Sequence, residues 1–222
     1  MMQESSRLKI TEIFVSLQGE TRTSGFLTTF IRLTGCPLRC GYCDTAYAFE
    51  GGDWVEIDSI IQQTIELGSK KVTVTGGEPL AQKRCINLLE GLVHAGFDVS
   101  LETSGAINVA NVPDQVCRVL DLKTPASLES ERNLYDNIDL LQSHDQVKFV
   151  ICNHEDYQWS KDIVDQFSLC EICEVLFSPV QAQGDNDGLK ASDLAQWIID
   201  DRLEVRFQIQ LHKHLWGEEI GR

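Results

Sequence analysis

Several short apolar segments of this chain run directly into a polar or glycine-rich tail. These tails are "TGC", "TGGEP", "ETSG", "DLKTP", "FSPVQ" and "QLHK". The apolar segments ahead of them, such as "FLTTFIRL", "KKVTV" and "CEVLF", are β-branched or aromatic and about as long as strands. "KITEIFVSL" alternates apolar and polar residues, and "DQVKFVIC" is a further strand. Between them lie stretches with apolar residues at helical spacing, among them "EIDSIIQQTIELG", "QKRCINLLEGLVHAGF", "EDYQWSKDIVDQF" and "ASDLAQWIIDD". Gly68 closes the first of these helices. Strands alternating with helices require a mostly parallel sheet covered by helices. In such sheets the chemistry gathers at the carboxyl ends of the strands, so the six tails are expected to share one rim. The 222 residues fall short of the roughly 250 typical of a closed eight-fold barrel. The expected fold is therefore α/β, a partial, open β/α barrel in a single domain spanning residues 1–222. The loop over 51–54 and the stretch 127–143 are its least regular parts.

Charge narrows the function. Nineteen Lys and Arg against 34 Asp and Glu leave a formal charge of −15. Such a surface repels phosphate backbones and anionic lipid, which argues against a nucleic-acid or membrane partner. No apolar run is long enough to cross a bilayer. "MMQESSRLKITEIF" lacks the apolar centre of a signal peptide, so a cytoplasmic location is expected. Eight cysteines in a reducing compartment read as metal-binding or catalytic rather than as a disulfide frame.

Cys36, Cys40 and Cys43 lie within "TGCPLRCGYCDT". Three readings are open. At i, i+4 and i+7 they would share one face of a helix and pack as core. Gly35 and Gly41 oppose that reading, because glycine destabilises a helix interior by about 1 kcal/mol relative to alanine. A zinc site would need a fourth ligand, and Cys170 and Cys173 could supply it only from the start of a distant strand. An iron–sulfur cluster with four irons and three thiolates would keep one iron open for a ligand. Cys85, Cys117 and Cys152 fall inside predicted elements and read as small buried hydrophobes. His212, Lys213 and His214 are either proton carriers near the rim or a surface cluster.

Cys-x-x-x-Cys-x-x-Cys, with Tyr42 ahead of the last cysteine and "TGGEP" after a strand, resembles the radical S-adenosylmethionine enzymes. The resemblance implies a [4Fe-4S] cluster on Cys36, Cys40 and Cys43, whose open iron chelates S-adenosylmethionine. It also implies that Gly76, Gly77 and Glu78 hold that cofactor, with Glu78 near enough in sequence to meet an ammonium group. A partner-activating enzyme of the same superfamily and a non-catalytic zinc-stapled module are the alternatives.

"SLQGETRTSG", "FIRLTGCPLRCGYCDT", "VTGGEPL", "LETSG", "DLKTP" and "LHK", in this order from about Ile10 to Trp216, resemble the 7-carboxy-7-deazaguanine synthase family. That likeness implies a ring contraction of 6-carboxy-5,6,7,8-tetrahydropterin with loss of ammonia, on the route to queuosine and related deazapurines. It places Leu17, Gln18, Gly19, Arg32 and Thr75 on the pterin, with Arg32 pairing the substrate carboxylate. It places Ser104, the segment Asp121, Leu122 and Lys123, and the segment Ser178, Pro179, Val180 and Gln181 on S-adenosylmethionine. Thr45 matches a Mg²⁺ ligand. A reductant such as flavodoxin or ferredoxin and a homodimer are implied as well. Some relatives bring their terminal residue to the substrate, whereas this chain runs on through "WGEEIGR".

Overall fold

The computed structural model describes residues 6–181 and 188–217 together with Glu219 and Gly221. Its elements follow in the order β1 (Arg7–Leu17), β2 (Leu27–Leu33), β3 (Asp53–Glu56), α1 (Ile57–Leu67), β4 (Lys71–Gly76), α2 (Cys85–His94), β5 (Asp98–Thr103) and β6 (Cys117–Asp121). β7 (Gln146–Ile151), α3 (His154–Gln166), α4 (Leu169–Ile172), β8 (Glu174–Pro179), α5 (Ala191–Asp201), β9 (Arg206–Phe207) and α6 (Leu211–Trp216) complete it. Among the described residues the strands form one sheet in the order β3-β1-β2-β4-β5-β6-β7-β8-β9. From β2 to β9 every pairing is parallel, while β1 runs antiparallel to both β2 and β3. The sheet is not closed, because β3 and β9 are its two edges.

One face of the sheet is packed by helices. Ile31, Leu33, Val72, Val74 and Leu101 share a core there with Ile60, Leu88 and Leu92, and Phe177 meets both Phe149 and Tyr157 edge-on. α1 stops at Gly68, whose φ of 78° is left-handed, as the sequence predicted. The other face curls, since Arg32 of β2, Glu102 of β5 and Ser178 of β8 line one cavity. Among the described residues no helix is long and apolar enough to cross a membrane.

Three expectations are corrected. The 51–54 stretch contains the start of β3, which pairs with Arg7–Ile10 at the sheet edge. "LEVRFQIQLH" is not a long strand: β9 keeps two residues and Leu211 begins α6. "QLHK" is therefore not a strand-end tail but a crossing segment, with Leu211 N donating to Gly19 O at 3.1 Å.

Candidate active site

The cysteine loop leaves β2 at Leu33 and forms neither helix nor strand up to Thr45. Gly35 turns it with φ 99°, and Arg39 braces it by donating from Nη1 to Cys36 O and Leu38 O at 2.8 and 2.6 Å. All three thiols are free, half-buried and on the cavity wall, so they are not packed core. Burial pushes each thiol up, Cys40 to about 11, despite the opposing charge of Lys123. They are neutral thiols until an iron displaces their protons. Among the described residues no three His, Cys, Asp or Glu side chains gather as ligands of one metal ion. An iron–sulfur cluster does not ask for that: it takes each thiolate on a separate iron, and three half-buried cysteines on one loop suit it. Cys170 and Cys173 lie at the opposite end of the strands, beside Glu204 and Arg206, where Cys170 Sγ donates to Glu204 O at 3.4 Å. They cannot complete a set with the loop. Cys85 and Cys117 are buried as expected, while Cys152 is only half-buried.

β4 delivers Thr75, Gly76 and Gly77 against this loop. A Cβ on Gly76 would fall 2.2 Å from Leu33 O, and one on Gly77 would fall 2.3 Å from Gly35 O and 2.8 Å from Cys36 Cβ. Only glycine allows this approach. Glu78 departs from the expectation. Its carboxylate is fully buried off the cavity wall, accepting from Leu80 N, Thr103 Oγ1, Ser104 N and Ser104 Oγ. It ties the turn to the end of β5 and is not directed at a ligand's ammonium group. Leu122 is likewise core, while its neighbours Asp121 and Lys123 face the cavity. The other predicted residues, Thr75, Ser104 and Ser178 to Gln181 among them, line the same cavity.

Leu17, Gln18 and Gly19 reach the cavity from the other end. Because β1 is antiparallel, Leu17 pairs with Leu27 at the start of β2. Gln18 is buried, and its amide is already engaged: Oε1 accepts from Gly19 N and Glu20 N, and Nε2 donates to Thr73 Oγ1 at 3.0 Å. Arg32 stands above this floor. Its Nε donates to Glu12 Oε1 at 2.6 Å, which leaves both terminal nitrogens for another carboxylate. Thr45 Oγ1 donates to Asp44 Oδ1 at 2.9 Å and keeps lone pairs for a hard cation.

Sequence reasoning missed a set of charges in the cavity, two buried lysines against half-buried carboxylates. Lys148 Nζ sits 2.9 Å from Glu20 Oε2 and 3.5 Å from Asp121 Oδ2, and Lys123 Nζ sits 3.0 Å from the same Asp121 oxygen. Burial raises the Glu20 carboxyl, but Lys148 and then His212 outweigh it and bring it to about 2. Glu102 is the opposite case. Burial pushes its carboxyl up, Glu20 adds to the shift, and its two donors, Gln18 Nε2 and Thr75 Oγ1, stand at 3.4 and 3.3 Å. Both of its oxygens keep acceptor capacity. Asp121 Oδ1 and Tyr42 Oη are buried without a hydrogen-bond partner. From the C-terminal side, Gln210 Nε2 bridges Glu20 and Asp44, and Lys213 Nζ lies 3.0 Å from Asp44 Oδ2. His212 and Lys213 line the cavity, whereas His214 is exposed. Lys148 sits mid-strand, where alternation alone reads it as an ordinary half-exposed lysine.

A curled parallel sheet with three thiols and a glycine turn at its strand ends defines a radical S-adenosylmethionine enzyme, and residues 30–129 match the radical SAM superfamily model. Two curated relatives extend the match over the chain. The 7-carboxy-7-deazaguanine synthase of Koribacter versatilis is 40% identical, covering 96% of this chain and 98% of its own. That of Chlorobaculum tepidum is 37% identical, covering 98% of each. The crystal structure of QueE from Escherichia coli superposes with a TM-score of 0.70 at 20% identity, over 92% of this chain and 94% of that one. The chain belongs to the 7-carboxy-7-deazaguanine synthase family. Membership implies a [4Fe-4S] cluster and S-adenosylmethionine, which the three cavity thiols, the glycine turn and the orphaned Asp121 Oδ1 and Tyr42 Oη fit.

Proposed function

We propose that this chain contracts the ring of 6-carboxy-5,6,7,8-tetrahydropterin to 7-carboxy-7-deazaguanine with loss of ammonia, in deazapurine biosynthesis. The observation that carries the reading is one cavity lined together by the Arg32 fork, the half-buried Glu102 carboxylate and three thiols. Cys36, Cys40 and Cys43 hold the cluster. The cluster and S-adenosylmethionine that these residues would hold would supply the one-electron chemistry for hydrogen-atom abstraction. Arg32 holds the substrate carboxylate end-on, which fixes the ring as well as binding it. Glu102 accepts from ring N–H groups at the floor, beside Thr75. Leu17, Gln18 and Gly19 form that floor through backbone and packing. Gly76, Gly77, Ser104, Asp121, Lys123 and the Ser178, Pro179, Val180 and Gln181 segment hold S-adenosylmethionine. Asp121, anchored by two lysines, offers its free Oδ1 as an acceptor.

Thr45 carries Mg²⁺, which takes few protein ligands and the rest from substrate and water. The chain acts in the cytoplasm as a homodimer of single-domain protomers, reduced by a flavodoxin or ferredoxin. Light scattering that gives a monomeric mass would remove the dimer. The reaction is tested by anaerobic turnover of reconstituted protein with S-adenosylmethionine, reductant, Mg²⁺ and the pterin. 7-Carboxy-7-deazaguanine is expected by mass spectrometry, without stoichiometric consumption of S-adenosylmethionine. Slow cofactor cleavage with no such product overturns the substrate assignment.

A further inference from the structure

β1 carries one residue more than its partner. Ile10 pairs with Leu33, but Glu12 rather than Thr11 pairs with Arg32. Successive side chains on a strand point to opposite faces, so one inserted residue reverses everything beyond it. Ile10 and Leu33 are buried among the helices. In an unbroken register Thr11 would stand opposite Arg32, and Glu12 would turn into the helix-covered core. With the bulge, Glu12 and Phe14 share the cavity-side face with Arg32 and Phe30. Phe14 and Phe30 then stack at 5.1 Å. Bulges beside active sites commonly re-aim a side chain in this way.

The re-aimed carboxylate has two partners. Glu12 Oε1 accepts from Arg32 Nε at 2.6 Å and from Tyr47 Oη at 2.8 Å. The Arg32 guanidinium carbon lies 5.8 Å from the ring centroids of both Phe14 and Tyr47, so aromatic rings also confine it. Tyr47 lies four residues after Cys43, which joins the arginine to that loop. Neither Glu12 nor Tyr47 lines the cavity.

We propose that Glu12 is a positioning residue that, with Tyr47, locks the Arg32 guanidinium so that its two terminal nitrogens form a fixed fork for the substrate carboxylate. The proposal rests on the reading of Arg32 as the carboxylate contact. Glu12 offsets part of the arginine charge, so the proposal requires orientation to outweigh charge. A freely rotating arginine keeps more charge but gives up the paired geometry.

Binding without turnover separates the two. Reconstituted enzyme with S-adenosylmethionine and no reductant would be titrated calorimetrically with 6-carboxytetrahydropterin and with tetrahydropterin lacking the carboxylate. Wild type is expected to favour the carboxylated ligand by about 10- to 100-fold, the range of a charge-assisted contact. Arg32→Met removes that preference. Glu12→Ala cuts it by about tenfold without weakening the ligand that lacks the carboxylate. Glu12→Gln, whose amide oxygen still accepts from Nε, restores most of it. Tyr47→Phe, at an exposed position where folding is safe, falls between. In turnover, KM rises while kcat holds. If Arg32→Met abolishes the preference while Glu12→Ala and Tyr47→Phe leave it unchanged or enlarge it, the proposal is overturned and the reading of Arg32 stands. If Arg32→Met leaves the preference intact, that reading fails and the proposal with it.

Discussion

Gly77→Ala adds one methyl group where the glycine turn meets the cysteine loop. Gly77 has no left-handed φ, so the effect is steric alone. The new Cβ would stand 2.3 Å from Gly35 O, 2.7 Å from Gly35 C and 2.8 Å from Cys36 Cβ. Ordinary contact begins near 3.4 Å, so one segment must retreat by about 1 Å, and the obstacle is backbone, not a flexible side-chain tip. Overpacking of this kind costs about 1–3 kcal/mol. For a chain of this length that lowers Tm by roughly 2–12 °C. The larger consequence falls on Cys36. Metal–ligand distances tolerate only about 0.2 Å, so a loop displaced by several times that loses its grip on a cluster. Gly41→Ala is the matched control. It lies inside the same loop without a left-handed φ, and its Cβ would find Leu128 Cδ1 no closer than 3.7 Å. Both variants would be reconstituted anaerobically, with iron per chain and Tm measured on each. Gly77→Ala should lose most of its iron and Gly41→Ala should keep it. Equal iron content in the two, or a larger loss in Gly41→Ala, would refute the reasoning.

The remaining predictions concern the groups around that contact. Lys148→Met leaves Glu20 and Asp121 facing each other without their shared cation, and breaking a buried pair from one side costs about 3–5 kcal/mol in chemical denaturation. The Glu20 carboxyl is depressed from 4.5 to about 2. The stability it contributes is therefore fully present above about pH 4.5 and lost as pH falls toward 2. Acid titration of Tm should show that slope in wild type and a flatter one in Lys148→Met. Glu78→Ala orphans the donors of Leu80, Thr103 and Ser104, each unpaired buried donor costing about 1–3 kcal/mol. Its Tm should fall in the apoprotein, before any cofactor is added. Cys170→Ser and Cys173→Ala should leave iron content at the wild-type level, whereas Cys40→Ala should abolish it, as iron analysis after reconstitution will show.

Strand interiors and loop chemistry were legible because each is a local property. "KVTVTG" is buried on both faces and reads as a central strand, and "TGCPLRCGYC" carries glycines that refuse a helix. Edge elements were not legible. Asp53–Glu56 becomes β3 only by pairing with β1, and "IQLH" leaves the sheet after Gln208, whose N still donates to Phe177 O while its side-chain Nε2 and Leu211 N both turn to Gly19 O. Alternation favours a strand there, and the long-range partners overrule it.

Glu78 and Glu102 show why a motif names residue types more reliably than their tasks. Both are acidic, both end short strand-to-turn segments, and they meet near the same end of β5. Glu78 is buried 0% exposed with its oxygens filled by four donor groups, which spends its charge on holding two strand ends together. Glu102 has two long contacts, which leaves it open to a ligand. Nothing in "GGEP" or "LETSG" separates these cases, because the difference lies in who donates to each carboxylate. The donors to Glu102 come from β4 and from the turn after β1, which approaches from the opposite end of the barrel only because β1 is antiparallel. A strand's direction is not written in its own residues. The wall of this cavity that carries Arg32 and Glu102 is therefore set by topology, while the wall that carries the three thiols is set by eight consecutive residues.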